Sequence, residues 1–312
     1  GPSLIRASSK NYKYITTIFK LNDYKKLIDN LKKNNGDTDI FFRKKMAASA
    51  FKETSVYDSK ISNWFNTKKN NIKKQNLRYG ENPNQRSYIL KDGIKSIFDS
   101  QLNGKQISYN NIIDVDSGLK CLNEFIEPTC VIVKHNNPCG VASSSKIDLA
   151  YKNAFNSDSI SAFGGIVLLN KKVNFKLASI ISKNFYEIIV APNYDKKSLE
   201  ILCKRKRLIL LKIGKTRIQD NEIKQTVFGT IHQKRDNAKI NRNFYDHKAY
   251  KKISTKDLND LIFATKVVKH LKSNAIVLSH NKQTIGIGSG QTNRIDSLKI
   301  ALNNYKKNFI KR

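Results

Sequence analysis

Apolar residues up to position 66 recur at helical spacing, whereas further along they gather into short continuous runs. In the segment 40–66, Phe41, Met46, Ala47, Ala50, Phe51, Tyr57, Ile61, Trp64 and Phe65 fall mostly on a helical period, which predicts one long helix with these side chains in a core. Upstream, NDYKKLIDNLKKN predicts a second helix capped by Asn22 or Asp23, and YKYITT, residues 12–17, predicts a short strand. Residues 66–76, NTKKNNIKKQN, have neither period nor apolar content and read as a linker. No internal repeat is evident.

Beyond the linker the pattern becomes α/β. SYIL, CVIVK, GGIVLLN, EIIVAP and LILLKI are short apolar runs of the kind that strands buried on both faces require. IDLAYKNAFNS and FKLASIISKNF read as helices between them, implying crossover connections and a largely parallel or mixed sheet. KDLNDLIFATKVVKHLKSN places Leu258, Leu261, Ile262, Thr265, Val268 and Leu271 on one stripe of an amphipathic helix. AIVLSHNKQTIGIGSG then predicts a hairpin turning near Asn281 and Lys282.

A chain of 312 residues exceeds one ordinary domain, so two are expected. Its net charge of +33 raises a polyanion-binding reading. The lysines, however, are interleaved with asparagines along the whole chain, as in NLKKNNGD and LNNYKKNFIKR, which marks a composition bias on solvated faces rather than one basic stripe. Binding to nucleic acid would then be non-specific and salt-sensitive. The cysteines at 121, 130, 139 and 203 form no CxxC and have no histidines at metal spacing, so no metal site is expected. Without a signal peptide or an apolar run long enough to span a bilayer, the expected compartment is a reducing cytoplasm, with no membrane partner. The chain opens on GPSLIRASSKN rather than methionine, and a fragment or processed piece is expected.

Three stretches could carry chemistry. RYGENPNQR, residues 78–86, is dense in loop-forming residues; Arg78 offers a planar fork suited to phosphate and Tyr79 an aromatic face, although a turn with an exposed arginine would look the same. TIGIGSGQTNR, residues 284–294, alternates Gly286, Gly288 and Gly290 with small or apolar residues and ends on Arg294. Those glycines either admit backbone amides to a ligand or mark a close-packed strand end, and the spacing is not a dinucleotide fingerprint. VIVKHNNPCG, residues 131–140, sets Lys134 and His135 at the end of an apolar run, where open α/β sheets bind ligands. A histidine there suits a general base and an ammonium suits developing negative charge, and the cation favours the neutral, base-competent imidazole. A strand ending in a surface loop remains the plain alternative. Cys139, in a Pro-Cys-Gly turn, lacks an evident orienting group, and without PCxxC and HxE elements a zinc deaminase is disfavoured.

Taken in order, LRYGENPNQ, GKQISYNNIIDVDSGL, VIVKHNNPCGVA, AYKNAFNSDSISAFGGIV, EIIVAPNY and KSNAIVL…TIGIGSGQTNRIDSLKIA resemble the AICAR transformylase domain of the bifunctional purine biosynthesis proteins, from about residue 70 to the end. GPSLIRASSKN and AFKETSVYDSKISNWF resemble the closing part of that family's IMP cyclohydrolase domain. The resemblance implies a three-layer α/β/α, cytidine-deaminase-like transformylase fold over 67–312, preceded over 1–66 by the C-terminal part of an α/β cyclohydrolase domain. It implies transfer of a formyl group from 10-formyltetrahydrofolate to the 5-amino group of AICAR, followed by ring closure to IMP, in a homodimer.

By position in the motifs, the resemblance makes His135 the base, Lys134 the stabiliser of the oxyanion or proton donor to folate nitrogen, and Asn274 the orienting asparagine. It makes Arg78, Tyr79, Gly164, Glu187 and Arg294 substrate contacts, and leaves Lys10 as a matched cyclohydrolase residue. The family's transformylase continues beyond SLKIA into a DAFFPFRD-like segment and a C-terminal arginine, so an internal fragment is expected. The competing expectation is a basic nucleic-acid-binding protein with vestigial enzyme motifs.

Overall fold

The computed structural model describes residues 1–66, 73–91, 96–216, 218–244 and 253–310. They fall into two compact units, Gly1–Lys73 and Lys74–Arg312.

Among the described residues the first unit holds three helices: α1 (Pro2–Lys10), α2 (Asp23–Lys33) and α3 (Ile40–Asn66). Asp39 starts α3 by accepting the Phe42 amide at 2.7 Å, while its other oxygen takes Asn30 Nδ2 of α2 at 2.6 Å. Two expectations fail here. Residues 12–17 form no strand: 12–14 lie in a turn, with the Tyr14 and Ile15 amides both on Asn11 O, and 15–17 run without regular structure. Of the residues assigned to a core, Met46, Ala47 and Ala50 are buried, but Phe41, Tyr57, Trp64 and Phe65 are half or more exposed. At 27 residues, α3 is far longer than α1 (9) or α2 (11), so its helical period is right and its cover is partial.

The second unit opens on a two-stranded ribbon of β1 (Lys73–Asn76) and β2 (Tyr88–Lys91). This corrects the linker over its last residues, since backbone pairing needs no apolar side chains; residues 67–72 lie outside the described residues. It also removes SYIL from the main sheet, leaving Tyr88 and Leu90 exposed. There follow β3 (Gln101–Asn103), α4 (Tyr109–Leu122), β4 (Thr129–Lys134), β5 (Asn137–Ser143), α5 (Ile147–Ser157), α6 (Ser159–Ala162), β6 (Ile166–Leu169), α7 (Phe175–Ile181), β7 (Ile188–Ala191), α8 (Lys196–Leu202) and β8 (Ile209–Lys212). The chain closes with a hairpin of β9 (Asn221–Thr226) and β10 (Gly229–Lys234), then α9 (Thr255–Val268), β11 (Ile276–His280), β12 (Gln283–Gly288) and α10 (Arg294–Tyr305).

Eight strands form one mixed sheet in the order β11-β12-β5-β4-β6-β7-β8-β3, parallel only from β6 through β8. Strand alternation divides its side chains between two apolar layers. Cys130, Ile132, Val167 and Ile189 pack with Ala154 of α5, Leu177 of α7 and Leu202 of α8. Val131, Val133, Leu168 and Val190 pack with Val115 of α4 and with Phe263 and Val267 of α9. The buried stripe of α9 is thus Leu258, Phe263 and Val267, with Leu261 exposed, a small rotation from the stripe expected.

A repeat invisible in the sequence appears in three dimensions. The order helix, hairpin, helix recurs as α4-β4-β5-α5 and α9-β11-β12-α10. Both hairpins close on two residues in the left-handed region: His135 and Asn136 (φ 52° and 63°), then Asn281 and Lys282 (φ 50° and 54°). Both carry a register shift at the same place before the turn, at Ile132/Val133 and Leu278/Ser279. A Cβ added to Gly140 would lie 2.1 Å from Ala154 O, and one on Gly286 2.2 Å from Ala301 O, so each glycine seats the following helix. Because β12 runs antiparallel to β5, with Lys282 O accepting the Ser143 amide, the two turns lie at opposite ends of the sheet.

Candidate functional site

The carboxyl end of β4 meets the amino ends of β6, β7 and β8, because β4 runs against β6 while β6, β7 and β8 run together. Lys134 and His135 therefore stand at a strand's carboxyl end, whereas Gly164 and Glu187 stand at the amino ends of parallel strands. All four share one end of the sheet.

Helix α4 organises that end. Its first turn is fixed by reciprocal bonds between Ser108 and Asn111, side chain to amide in both directions at 3.3 and 3.1 Å. Gly118 lets it approach the sheet, since a Cβ there would lie 2.3 Å from Leu168 Cδ1. From this helix Asn111 Nδ2 donates to Glu187 Oε2 at 3.1 Å, and Lys105 Nζ, just upstream, lies 3.5 Å from the same oxygen. Asp114 Oδ1 accepts the Asn136 amide at 2.6 Å, and Ser117 Oγ donates to Asn136 O at 2.9 Å. Arg78 and Tyr79 join through the backbone: Arg78 N donates to Ile107 O and Tyr109 N to Tyr79 O, each at 3.2 Å. The Arg78 guanidinium lies over the Tyr79 ring at 4.6 Å and donates to its hydroxyl at 2.8 Å.

On the other flank, Lys134 Nζ donates to Phe163 O at 2.8 Å, beside Gly164, whose φ of 71° suits glycine. Phe163 and Phe185 are exposed and their ring centroids lie 5.3 Å apart. The His135 ring is exposed, and a cavity of about 310 Å³ opens next to it, lined by Lys134, His135, Cys139, Asp158, Ser161 and Asn304. Larger cavities of about 890 and 640 Å³ flank the β9–β10 hairpin, and neither Lys134 nor His135 lines them. The chemistry, not the volume, marks the smaller one.

Asp114 is the electrostatically unusual group. Burial pushes its carboxyl up, while the Asn136 N–H bond and the nearby His135 pull it down and Glu187 pushes it up again. Cys139 lies inside β5 rather than in the expected turn, its Sγ donating to Ile132 O at 3.4 Å. Burial, with Asp158 and against Lys134, pushes its thiol up to about 12, the opposite of an activated nucleophile.

Asn274 and Arg294 belong to a second cluster at the same sheet end, where Ile276 of β11 pairs with Gly288. Asn274 Nδ2 donates to Gln291 O and Thr292 O, both at 3.1 Å, and its carbonyl accepts Ser297 Oγ at 2.8 Å. Among the described residues no hydrogen bond joins it to Lys134 or His135. Arg294 is exposed at the start of α10. Gly286 and Gly288 pack against α10 rather than admit a ligand: a Cβ on Gly288 would lie 1.9 Å from Ser297 O. Lys10 ends α1 in the first unit and is exposed. Among the described residues no cluster of His, Cys, Asp or Glu could hold a metal, and no helix is long and apolar enough to cross a membrane.

Sequence reasoning missed Lys105, Asn111, Asp114 and Ser117. The available signal was the three-residue spacing of Asn111, Asp114 and Ser117, which makes a polar stripe along one side of α4.

The family model described as "AICARFT/IMPCHase bienzyme" matches residues 8–304. Among curated proteins, the chain is 44% identical over 321 residues to the bifunctional purine biosynthesis protein PurH of Caldicellulosiruptor bescii, covering 97% of this chain and 62% of that one. PurH of Buchnera aphidicola subsp. Schizaphis graminum is 42% identical, over 96% of this chain and 62% of its own length. PurH of Staphylococcus saprophyticus is 40% identical, over 97% and 61%. The chain therefore spans about 62% of the length of such relatives.

Proposed function

The chain belongs to the AICARFT/IMPCHase bienzyme family, and on that premise we propose that its second unit carries the AICAR formyltransferase site of a purine-biosynthesis enzyme, at the sheet end organised by α4. The observation that carries this reading is the convergence of Lys134, His135, Glu187, Gly164, Arg78 and Tyr79 at one sheet end, with Glu187 and Tyr79 bonded to α4 and His135 held to it through its neighbour Asn136.

The reaction moves a formyl group from 10-formyltetrahydrofolate to the 5-amino group of AICAR, giving FAICAR and tetrahydrofolate. The amine attacks the formyl carbon as His135 takes its proton, because an amine conjugated to an imidazole carboxamide is a poor nucleophile without a base. Lys134, held beside Gly164 by Phe163 O, balances the tetrahedral oxyanion and returns a proton to the departing folate nitrogen. The Arg78 fork suits the nucleotide's phosphate and Glu187 a polar edge of AICAR. Phe163 and Phe185 offer an exposed aromatic face that fits a ring of the folate co-substrate. Asn274 and Arg294 complete the site from the second cluster.

Helices on both faces of the sheet support a cytidine-deaminase-like layout for this unit. The first unit we assign to the C-terminal part of the IMP cyclohydrolase, with Lys10 as its matched residue. A homodimer in the cytoplasm is the proposed setting. The test is formyl transfer by the full-length enzyme carrying His135→Asn, a residue that tolerates the left-handed turn but supplies no base. Turnover is expected to vanish into the background, and wild-type turnover would refute the assignment.

A further inference from the structure

The His135–Asn136 turn holds two non-glycine residues in the left-handed region, a conformation that persists only where surroundings enforce it. The Asn136 side chain does not supply this through its oxygen, since Oδ1 is buried with no hydrogen-bonding partner among the described residues. Enforcement comes from α4: Asp114 takes the Asn136 amide and Ser117 its carbonyl, so both backbone groups of one residue are gripped by one helix.

The sister hairpin shows what a clamp alone requires. There Asp260 accepts both turn amides, Asn281 N on Oδ2 at 2.9 Å and Lys282 N on Oδ1 at 2.7 Å. Asp114 and Asp260 sit at the same depth in their helices, counted from Tyr109 and Thr255. At the first turn the work is split instead. Asp114 uses Oδ1 for one amide, and Oδ2 has no hydrogen-bonding partner among the described residues. The charged groups facing Asp114 are His135 from the turn and Glu187 from the start of β7, the latter bound in turn by Lys105 and Asn111.

We propose that Asp114 is the positioning residue of the formyl-transfer base: it fixes the His135 turn through Asn136 and sets its negative charge against the imidazolium that forms when His135 takes the amine proton. The inference rests on the reading of His135 as that base. A neutral amide at 114 keeps the acceptor for Asn136 and removes the charge; alanine removes both. Ser117→Ala loosens the carbonyl side alone.

The experiment measures formyl transfer against pH, and hydrogen exchange at the Asn136 amide, in the full-length enzyme carrying Asp114→Asn, Asp114→Ala, Ser117→Ala or Asp260→Asn. Asp114→Ala is expected to lower kcat about tenfold or more, with KM for AICAR within about twofold, and to expose the Asn136 amide. Asp114→Asn is expected to restore amide protection and to move the acid limb of the kcat/KM profile to lower pH, because the anion that favours imidazolium is gone. Asp260→Asn is expected to leave that profile in place. If Asp114→Ala fails to fold, Ser117→Ala reads the same clamp through lower kcat and weaker protection of the turn. The inference is overturned if Asp114→Asn keeps the wild-type profile, or if Asn136 protection is unchanged in Asp114→Ala or, where that variant does not fold, in Ser117→Ala. Full turnover in His135→Asn would refute the base itself while leaving the exchange result to judge the clamp.

Discussion

The two hairpins of the central sheet share a backbone and differ in what surrounds their turns. Each has a two-residue left-handed turn, a register shift before it, an aspartate on the preceding helix and a glycine under the following one. At the second turn, Lys282 pairs with Glu127 at 2.6 and 2.8 Å across a surface that leaves the two side chains 40% and 53% exposed. At the first, the turn abuts the amino ends of β6 and β7, where Gly164, Glu187 and Lys105 stand. A strained turn held by a carboxylate is thus a device of the fold. Chemistry follows from placing that device beside groups with charge to spare.

Matched substitutions at the two hairpins test this contrast. The largest effect is expected at the turns themselves: His135→Asn should lose about 10²–10⁴ in formyl-transfer rate, whereas Asn281→Gly, in the sister turn, should stay within about twofold. Equal losses would erase the distinction. Next come the helix seats, where Gly140→Ala and Gly286→Ala drive a Cβ into a carbonyl oxygen; each should cost about 1–3 kcal/mol, read by hydrogen exchange across β4 and β11. Effects of opposite sign would contradict the structural repeat.

The clamps should also separate by stability. Asp260→Ala strands two amides and should destabilise by about 1–3 kcal/mol. Asp114 has its carboxyl raised in the folded state, so the stability it lends is complete below the unfolded-chain value and lost as pH rises through the raised one. Asp114→Asn should therefore remove that decline and be no less stable than wild type at neutral pH, as chemical unfolding at two pH values would report. The smallest effect belongs to Lys282→Met, which breaks an exposed ion pair and should shift stability by under about 1 kcal/mol.

Much of the sheet was legible, and the reason is burial on both faces. CVIVK, GGIVLLN, EIIVAP and LILLKI appear as β4, β6, β7 and β8 because strands buried on both faces need continuous apolar runs. The β11–β12 turn at Asn281 and Lys282 was equally readable from its polar residues. Strand β5 was not: it opens Asn-Pro-Cys-Gly, which local rules read as a turn, and Gly140 answers to α5 rather than to the strand. YKYITT shows the reverse error, since β-forming residues without a neighbouring strand take turn and irregular backbone. Of the site, Lys134 and His135 are adjacent in sequence and could be found together. Asp114 and Ser117 act on Asn136 across a helix–sheet interface that Gly118 makes close, and the sequence carries that contact only as an unremarkable polar stripe.

The role of His135 is tested by a single-turnover measurement with AICAR already bound and 10-formyltetrahydrofolate mixed in. His135→Asn is predicted to bind AICAR with a Kd within about twofold of wild type while the formyl-transfer step slows by about 10² or more. Formyl transfer at the wild-type rate in that variant would mean that His135 is not the base.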